Sequence, residues 1–586
     1  DVNERKVADV NERKVADVNE RKVADVNERK VADVKELFLN PETMNIAQVI
    51  DGIQILHKKF SRYFDIENPR MKNGICENYA VLVEKEVLPH EGFDIEKVYD
   101  DLSFYAQGIL KWNHHGAMIN VNPPVTLPSV AAASYVSLYN GNGAQDMSCG
   151  YLLTTELIVI KMLCQLVGLD YKVAGGIFTF GGKSTMLHAL KHGIQRVSPD
   201  AIENGLKDEI VMFASDQGHP CHSEVCGWLG IGEKNCIRIP ADRMGVIDIE
   251  LLEKELDRVL SEGKKVALIT ANGGTTIQMT IDPIRKIVAL RDELVKKYQL
   301  NYKPRVHVDS VIGWVMLFFK NYDFKRNPLG LLPKASEKIQ RQLQRMLDIK
   351  YADSFGVDFH KTGFCSYLSS VYMTADVSEL YAQGKLKPIP YEELEYGNYS
   401  PFQYTLELSR SLTGPIEAYI NLKTLGFTGY QKLVGDLYNT SERLKELLNA
   451  HSRFEVINDG DSDGFVTLFV AKEFCDSPSF FQLGHKDVEE TKNFGLFNHK
   501  FYLYLFEQQK LGKCWFTLDY SSGYHVLSNG IKMGVLKVYQ MSPYFTLEKA
   551  EQMVQELDRL IAEFDLIKDT FEVKEIPHKP RQFVFH

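Results

Sequence analysis

Between about residues 146 and 425, short apolar runs alternate with longer runs of helical periodicity, and this alternation constrains the chain more than any other feature. The runs at 210–215 (IVMFAS), 265–272 (KVALITAN), 305–312 (RVHVDSVI) and 366–373 (SYLSSVYM) are short and rich in β-branched residues, so they are predicted strands. Between them, DIELLEKELDRVLSEG, with Asp248 as its cap, and DPIRKIVALRDELVKKY have helical spacing. Strands separated by amphipathic helices are the sequence form of a mostly parallel sheet with crossover helices, so an α/β fold is expected. In such open sheets ligands sit beyond the carboxyl ends of the strands, which is where the chemistry is sought.

Other patterns flank this segment. Residues 1–32 are four copies of DVNERKVA, and a partial fifth follows. A period of eight drifts about 80° around a helix of about 3.6 residues per turn, so the repeated valines build no continuous apolar stripe. Residues 1–39 are therefore expected to form a mobile tandem repeat. Residues 40–145 have interrupted helical patterning that ends in the Pro-rich NVNPPVTLPS, as an N-terminal arm or small domain would. From 146 to 425 runs the large domain. Residues 426–586, with Phe- and Val-rich strands and a last amphipathic helix over 546–564, read as a smaller α/β domain.

Composition narrows the class. Apolar residues make up 44% and charged residues 25%, as in an ordinary globular chain. The net charge of −10, with no long basic run, speaks against nucleic acid as a partner. No stretch approaches the roughly 18 apolar residues of a membrane helix, and the N-terminus lacks the apolar segment of a signal peptide. Nine cysteines without framework spacing read as reduced thiols, and a cytoplasmic setting is expected.

Four segments carry chemistry. GGIFTFGGKSTMLHAL (175–190) is a glycine-rich turn feeding a helix that starts near Ser184, a place where free N–H groups and a helix dipole favour phosphate. It misses the nucleotide-triphosphate loop, because Ile177 stands where that motif has its first glycine; a purely structural turn is the alternative. RVHVDSVIGW puts Asp309 at the end of a buried strand, where a carboxylate needs a cationic partner. A protonated pyridine nitrogen would serve, and so would an ordinary salt bridge or helix cap. ADSFGVDFHKTGFC sets His360 and Lys361 at the end of another apolar segment, where a lysine could form an imine with an aldehyde. SDQGHPCHSEVC supplies His219, an imidazole able to stack on a flat ring, and offers His219, Cys221, His222 and Cys226 as conceivable zinc ligands. All four crowd into eight residues, unlike the two spaced pairs of a structural zinc site, so no metal is expected.

A glycine-rich phosphate turn, D-Q-x-H, the G-T-T turn of ANGGTTIQ (271–278), H-V-D, then D-S followed by H-K occur in this order, and the ordered set resembles the group II pyridoxal-phosphate-dependent decarboxylases. That family includes glutamate, aromatic-amino-acid and bacterial tyrosine decarboxylases. The resemblance runs from about Trp112 into the C-terminal domain, roughly four fifths of the chain. WNHHGAMINVNPPVTLPS is similar to the family's substrate-side segment, and ALRDEL before HVD most resembles the tyrosine decarboxylases.

The resemblance implies an aspartate aminotransferase-like type I fold: a mostly parallel central sheet with helices on both faces and a smaller C-terminal domain. It implies pyridoxal phosphate as cofactor, with Lys361 as the Schiff-base lysine, Asp309 as partner of the ring nitrogen and His219 as the stacking histidine. Gly182, Lys183 and Ser184 would form the phosphate cup, with His360 a further phosphate donor. Thr275 or Thr276 would support the ring, and His114 would stand on the substrate side. The family's proton-donating loop tyrosine has Tyr391, Tyr396, Tyr399 and Tyr404 as candidates here, with Tyr399 chosen by its distance from LSR. Two departures stand out: Val311 replaces a small residue beside the ring, and Lys183 replaces a hydroxyl residue in the cup. The implied reaction releases carbon dioxide and an amine from an amino acid, aromatic in the first instance, with glutamate, aspartate and diamino acids open. Oxidative decarboxylation to an aldehyde and an inactive cofactor-binding regulator are the rivals. A homodimer is implied.

Overall fold

The computed structural model describes residues 34–74, 78–460 and 462–572; most of the octapeptide repeat and the C-terminal tail lie outside the described residues. Among them, the residues up to Asp65 with those of Met71–Ile109 form one compact unit. Ile66–Arg70 and the chain from Leu110 onward form the other. The first unit is helical, with helices at Ala47–Phe60, Tyr79–Glu84 and Ile95–Phe104.

The second unit is built on a seven-stranded sheet of β1 (Gly175–Thr179), β2 (Ile210–Ser215), β3 (Cys236–Ile239), β4 (Lys265–Asn272), β5 (Arg305–Asp309), β6 (Ser354–Asp358) and β7 (Ser370–Thr374). Their order is β1-β7-β6-β5-β4-β2-β3. β3, β2, β4, β5 and β6 run parallel, while β7 is antiparallel to both β6 and β1. Sequence-based ranges hold for β2 and β4. The predicted strand over 305–312 stops at Asp309, because the Ser310 N–H turns back to the Val308 carbonyl and its hydroxyl donates to the Gly356 carbonyl. The run at 366–373 is strand only from Ser370, since Ser366 is held by Glu417 through its backbone N–H (2.7 Å) and its hydroxyl.

All strand positions of β1, β2, β5, β6 and β7 are buried, as expected of a sheet covered on both faces. The helix Gly182–Val197 lies directly on the sheet at Gly193, where a Cβ would stand 2.4 Å from the Ala267 carbonyl oxygen. Asp248 caps the helix Ile249–Ser261, accepting from the Leu251 N–H at 3.0 Å.

The C-terminal part carries a four-stranded antiparallel sheet, β10 (Asp519–Val526), β11 (Lys532–Val538), β9 (Thr467–Ala471) and β8 (Phe454–Val456) in that order. The division expected after residue 425 falls within the helix Thr413–Ala450, which bends at Gly426, where φ is 55°. One apolar core takes in Val306 and Val308 of the large sheet together with Leu468 and Val470 of the small one.

The sequence reading found no run long enough for a membrane helix, and Asp146–Val167 corrects it: by length and composition this helical segment could cross a membrane, with mean hydropathy 1.5. Its Glu156 is buried, takes a hydrogen bond from Arg410 at 2.7 Å and accepts from the Phe178 N–H at 2.9 Å.

Candidate active site

The carboxyl ends of β4, β5 and β6, the first residues of the helix Gly182–Val197 and the segment after β2 enclose a cavity of about 530 Å³, open mouth included. Asn272, Asp309 and Gly356 are neighbours in register, so the last turns of three parallel strands meet at one level. Asp309 and Lys361 both line the cavity, as do His219, Thr275, Thr276, His360, Gly182 and Lys183. One cavity therefore collects the carboxylate, the amine, the imidazole and the glycine turn that the sequence singled out.

Asp309 is 8% exposed and takes a 2.7 Å hydrogen bond from His222 Nε2. Burial opposes its ionisation, but that hydrogen bond, with the positive charge of Lys361, outweighs burial and holds the carboxyl well below the usual range. It is an anion facing the cavity. Lys361 Nζ lies 2.9 Å from Asp358 Oδ2. Burial pulls the amine down, yet Asp358 and Asp309 hold it above its ordinary value. Thus the ammonium waits beside a buried carboxylate.

Gly181 opens the glycine turn at φ 110°, a conformation that L side chains rarely adopt. Gly182 and Lys183 begin the helix, where backbone N–H groups have no intrahelical acceptor. A Cβ on Gly182 would stand 2.9 Å from Asp358 Oδ2, so only glycine leaves this cradle open. One expectation needs correction here. Ser184 does not line the cavity; its hydroxyl is buried against the Gly181 carbonyl (2.7 Å) and Thr179 Oγ1 (2.8 Å). Lys183 does line it, as expected, and its ammonium pairs with Glu224.

His219 Nδ1 accepts from the Cys221 N–H at 3.1 Å, which fixes the ring at the start of the helix Cys221–Trp228. Val311, 7% exposed, also lines the cavity. Thr275 Oγ1 accepts from the Thr280 N–H at 3.0 Å. His360 Nδ1 sits 3.0 Å from the Ser369 carbonyl oxygen, and its Nε2 lies 3.4 Å from Asp358 Oδ2.

Besides Ser184, two more predicted residues are not brought into the cavity lining. His114 spends both ring nitrogens on backbone, one on the Ile66 carbonyl (3.0 Å) and one on the Gly116 N–H (2.9 Å). Tyr399 is buried in a small apolar cluster with Leu153, Leu412 and Ile416. Lining or supporting residues that escaped the sequence reading of the cofactor site include Asn272, Cys221, Asp358 and His222 as a partner of Asp309. The alternation of β6 could have found Asp358, two positions before His360. His222, weighed above as a zinc ligand, is instead committed to Asp309. No group of three side chains suited to a metal occurs among the described residues.

Asn272 offers a test of fit for a bound group, because its Nδ2 is buried in the lining and, apart from its interaction with Asp282, makes no hydrogen bond within the chain, which leaves one of its two N–H groups unused. An amide N–H so placed calls for an acceptor from a ligand. With an anion at Asp309, an amine at Lys361 and an anion cradle at Gly182, the residues present fit a phosphorylated pyridine aldehyde.

Residues 82–469 match the family described as "Pyridoxal-dependent decarboxylase conserved domain". The chain belongs to this family. A glutamate decarboxylase-like protein of Gibberella zeae is 26% identical to this decarboxylase-family chain over 245 residues, 41% of this chain and 47% of that protein. The glutamate decarboxylase domain of a diaminobutyrate-pyruvate transaminase and L-2,4-diaminobutyrate decarboxylase from Vibrio parahaemolyticus has a similar fold. It shows a TM-score of 0.68 at 17% identity and covers 90% of this chain and 98% of its own. Oryza sativa TDC, solved with PLP and tryptamine, gives 0.70 at 15% identity, covering 90% and 99%. The chain spans about half the length of the curated relatives it matches, between 32% and 66%.

Proposed function

We propose that the protein is a pyridoxal-phosphate-dependent carboxy-lyase that converts an L-amino acid to its amine and carbon dioxide. The observation that carries the reading is the meeting of Lys361, Asp309 and the Gly182 cradle in one cavity. When bound, the cofactor supplies a carbonyl for the substrate amine and a protonated ring that accepts the electron pair left by departing carbon dioxide.

The chain's own residues prepare this step. Lys361 would hold the cofactor covalently, and Asp358 keeps its amine placed until then. Asp309, kept ionised, would hold the proton on the ring nitrogen. Gly182 and Lys183 would bind phosphate through backbone N–H groups, and Asn272 has an N–H to spare for the cofactor's oxygen. His219 and Val311 would flank the ring.

For the substrate, an aromatic side chain remains the first candidate. Among the described residues lining the cavity there is no arginine, the side chain best suited to a second carboxylate. Glutamate, aspartate and diamino acids are the competing substrates. We take the protein to act as a cytoplasmic homodimer.

Incubating the cofactor-loaded protein with pooled amino acids, followed by mass spectrometry for amines, tests the proposal. An amine formed by the wild type and absent with Lys361→Ala is the expected result; no amine from any amino acid would overturn it. The position of Tyr399 favours one second reading. With that phenol buried away from the cavity, molecular oxygen could oxidise the carbon instead: amino acid, oxygen and water would give aldehyde, carbon dioxide, ammonia and hydrogen peroxide. Ammonia and peroxide equal to the carbon dioxide released would establish that outcome.

A further inference from the structure

Behind Asp309 stands a chain of two side chains that the reaction outlined above does not use. His222 is fully buried on the helix Cys221–Trp228, and its Nε2 lies 2.7 Å from Asp309 Oδ2. Its other nitrogen, Nδ1, faces Arg238 Nη1 at 3.4 Å. A guanidinium has donors only. Nδ1 must therefore be the acceptor, which puts the single ring proton on Nε2, where it is given to Asp309.

Arg238 belongs to β3, the edge strand of the sheet, and does not line the cavity. The same guanidinium donates to three carbonyls at the end of β2 and in the loop that follows it: Ser215 at 2.9 Å, Gly218 at 3.2 Å and His219 at 3.1 Å. It thereby clamps the backbone of His219, the imidazole on one side of the cavity, while fixing the tautomer of the imidazole that holds Asp309. Space around the pair is closed as well. A Cβ on Gly218 would stand 2.7 Å from His222 Nδ1, so only glycine at 218 lets the loop lie this close to the ring.

We infer that Arg238 and His222 form a positioning relay that keeps His222 a neutral Nε2–H donor and so leaves Asp309 a full anion with one oxygen for the pyridine nitrogen. Were His222 a cation, Asp309 would share its charge with it and hold the ring proton less firmly; a guanidinium beside Nδ1 opposes that second positive charge. Lys361 and His307 also face Asp309, and Cys226 Sγ reaches the His222 carbonyl at 3.7 Å, but none of these touches Nδ1 within the described hydrogen bonds. His222 and Arg238 are positioning residues: they act on the cofactor through Asp309 and His219.

The inference rests on the pyridoxal-phosphate reading for its effect on the cofactor, but its geometry is testable apart from it. Nitrogen-15 NMR of histidine-labelled protein, with the His222 signal assigned by its loss in His222→Gln, reads the tautomer with or without cofactor. A neutral Nε2–H ring in the wild type is expected, which in Arg238→Met becomes a mixture of tautomers. An Nδ1–H ring or an imidazolium in the wild type would overturn the relay.

On cofactor-loaded protein, His222→Leu should weaken pyridoxal phosphate affinity about tenfold, the scale on which removal of an outer hydrogen-bond partner acts. It should also move the pH at which the visible bands interconvert. His222→Gln, which keeps an N–H donor, should restore most of both, and Arg238→Met should shift the pH profile in the direction of His222→Leu. Should His222→Leu fail to fold, the Gln and Met variants decide the matter. Unchanged affinity and pH profile in the folded variants overturn the inference while leaving the cofactor reading intact; a wild type with no cofactor-dependent band overturns that reading, and the NMR result then decides whether the relay exists.

Discussion

Lys361 and Asp358 face each other at the heart of the site, a half-buried ammonium 2.9 Å from a buried carboxylate. A lysine must lose its proton before it attacks a carbonyl. Because the neighbouring anions hold that proton, covalent capture of pyridoxal phosphate by the cofactor-free protein should accelerate steadily as pH rises. Asp358→Asn removes the nearest anion, lowers the amine's pKa and should speed capture at any given pH, by about tenfold for each unit of pKa lost. Stopped-flow absorbance measures this. Asp309→Ala should act differently, leaving capture possible while reducing turnover by two or more orders of magnitude, about 3 kcal/mol of lost stabilisation; amine formation per bound cofactor checks it. The sequence already marked Lys361, Asp309 and His219, because each stands just beyond an apolar run. His222 and Asn272 were not legible as site residues, since the contact of His222 with Asp309 spans 87 positions and depends on how a helix settles on the sheet. Tyr399 was chosen by its distance from LSR and His114 by the likeness of its segment to the family's, and neither says which way a side chain faces.

Among the elements, the helix Gly182–Val197 does most to place the cradle, and Gly193 sets its distance from the sheet. Gly193→Ala puts a methyl group 2.4 Å from the Ala267 carbonyl oxygen, so the helix must lift. A loss of about 2 kcal/mol in stability is expected, with weaker cofactor binding because Gly182 moves with the helix; thermal melts with and without cofactor separate the two effects. At the opposite ends of the strands, Asp353 is ringed by Arg196 (3.1 Å) and Arg291 (2.8 Å) and accepts from the Val306 N–H. Burial raises its pKa, but the three arginines Arg196, Arg291 and Arg305 overcome this and bring it from 3.8 down to about 2. A depressed carboxyl stabilises the fold above its unfolded pKa, and this contribution fades as pH falls from about 4 to about 2. Asp353→Asn should cost about 3 kcal/mol at neutral pH and flatten the acid limb of a urea-unfolding series. β2 and β4 were legible because they are apolar and β-branched; β1 and β3 were not, since a GGIFT strand owes its place to close backbone packing and a four-residue edge strand leaves little pattern.

At the scale of the molecule, the second unit leaves large apolar side chains exposed, among them Leu127, Tyr135, Tyr139, Leu406 and Leu408. For the homodimer proposed above, sedimentation of the cofactor-loaded protein should give twice the chain mass of 66.8 kDa. The α/β class and the sheet's strand-end site were legible from the alternation of strands and helices, whereas the continuity of the core through the helix Thr413–Ala450 was not, because no local pattern tells a bent helix from two. The whole account turns on a covalent bond between the cofactor and one lysine. Borohydride reduction of the cofactor-loaded protein followed by peptide mapping should find the phosphopyridoxyl group on Lys361 alone; a label on other lysines, or none, would contradict it.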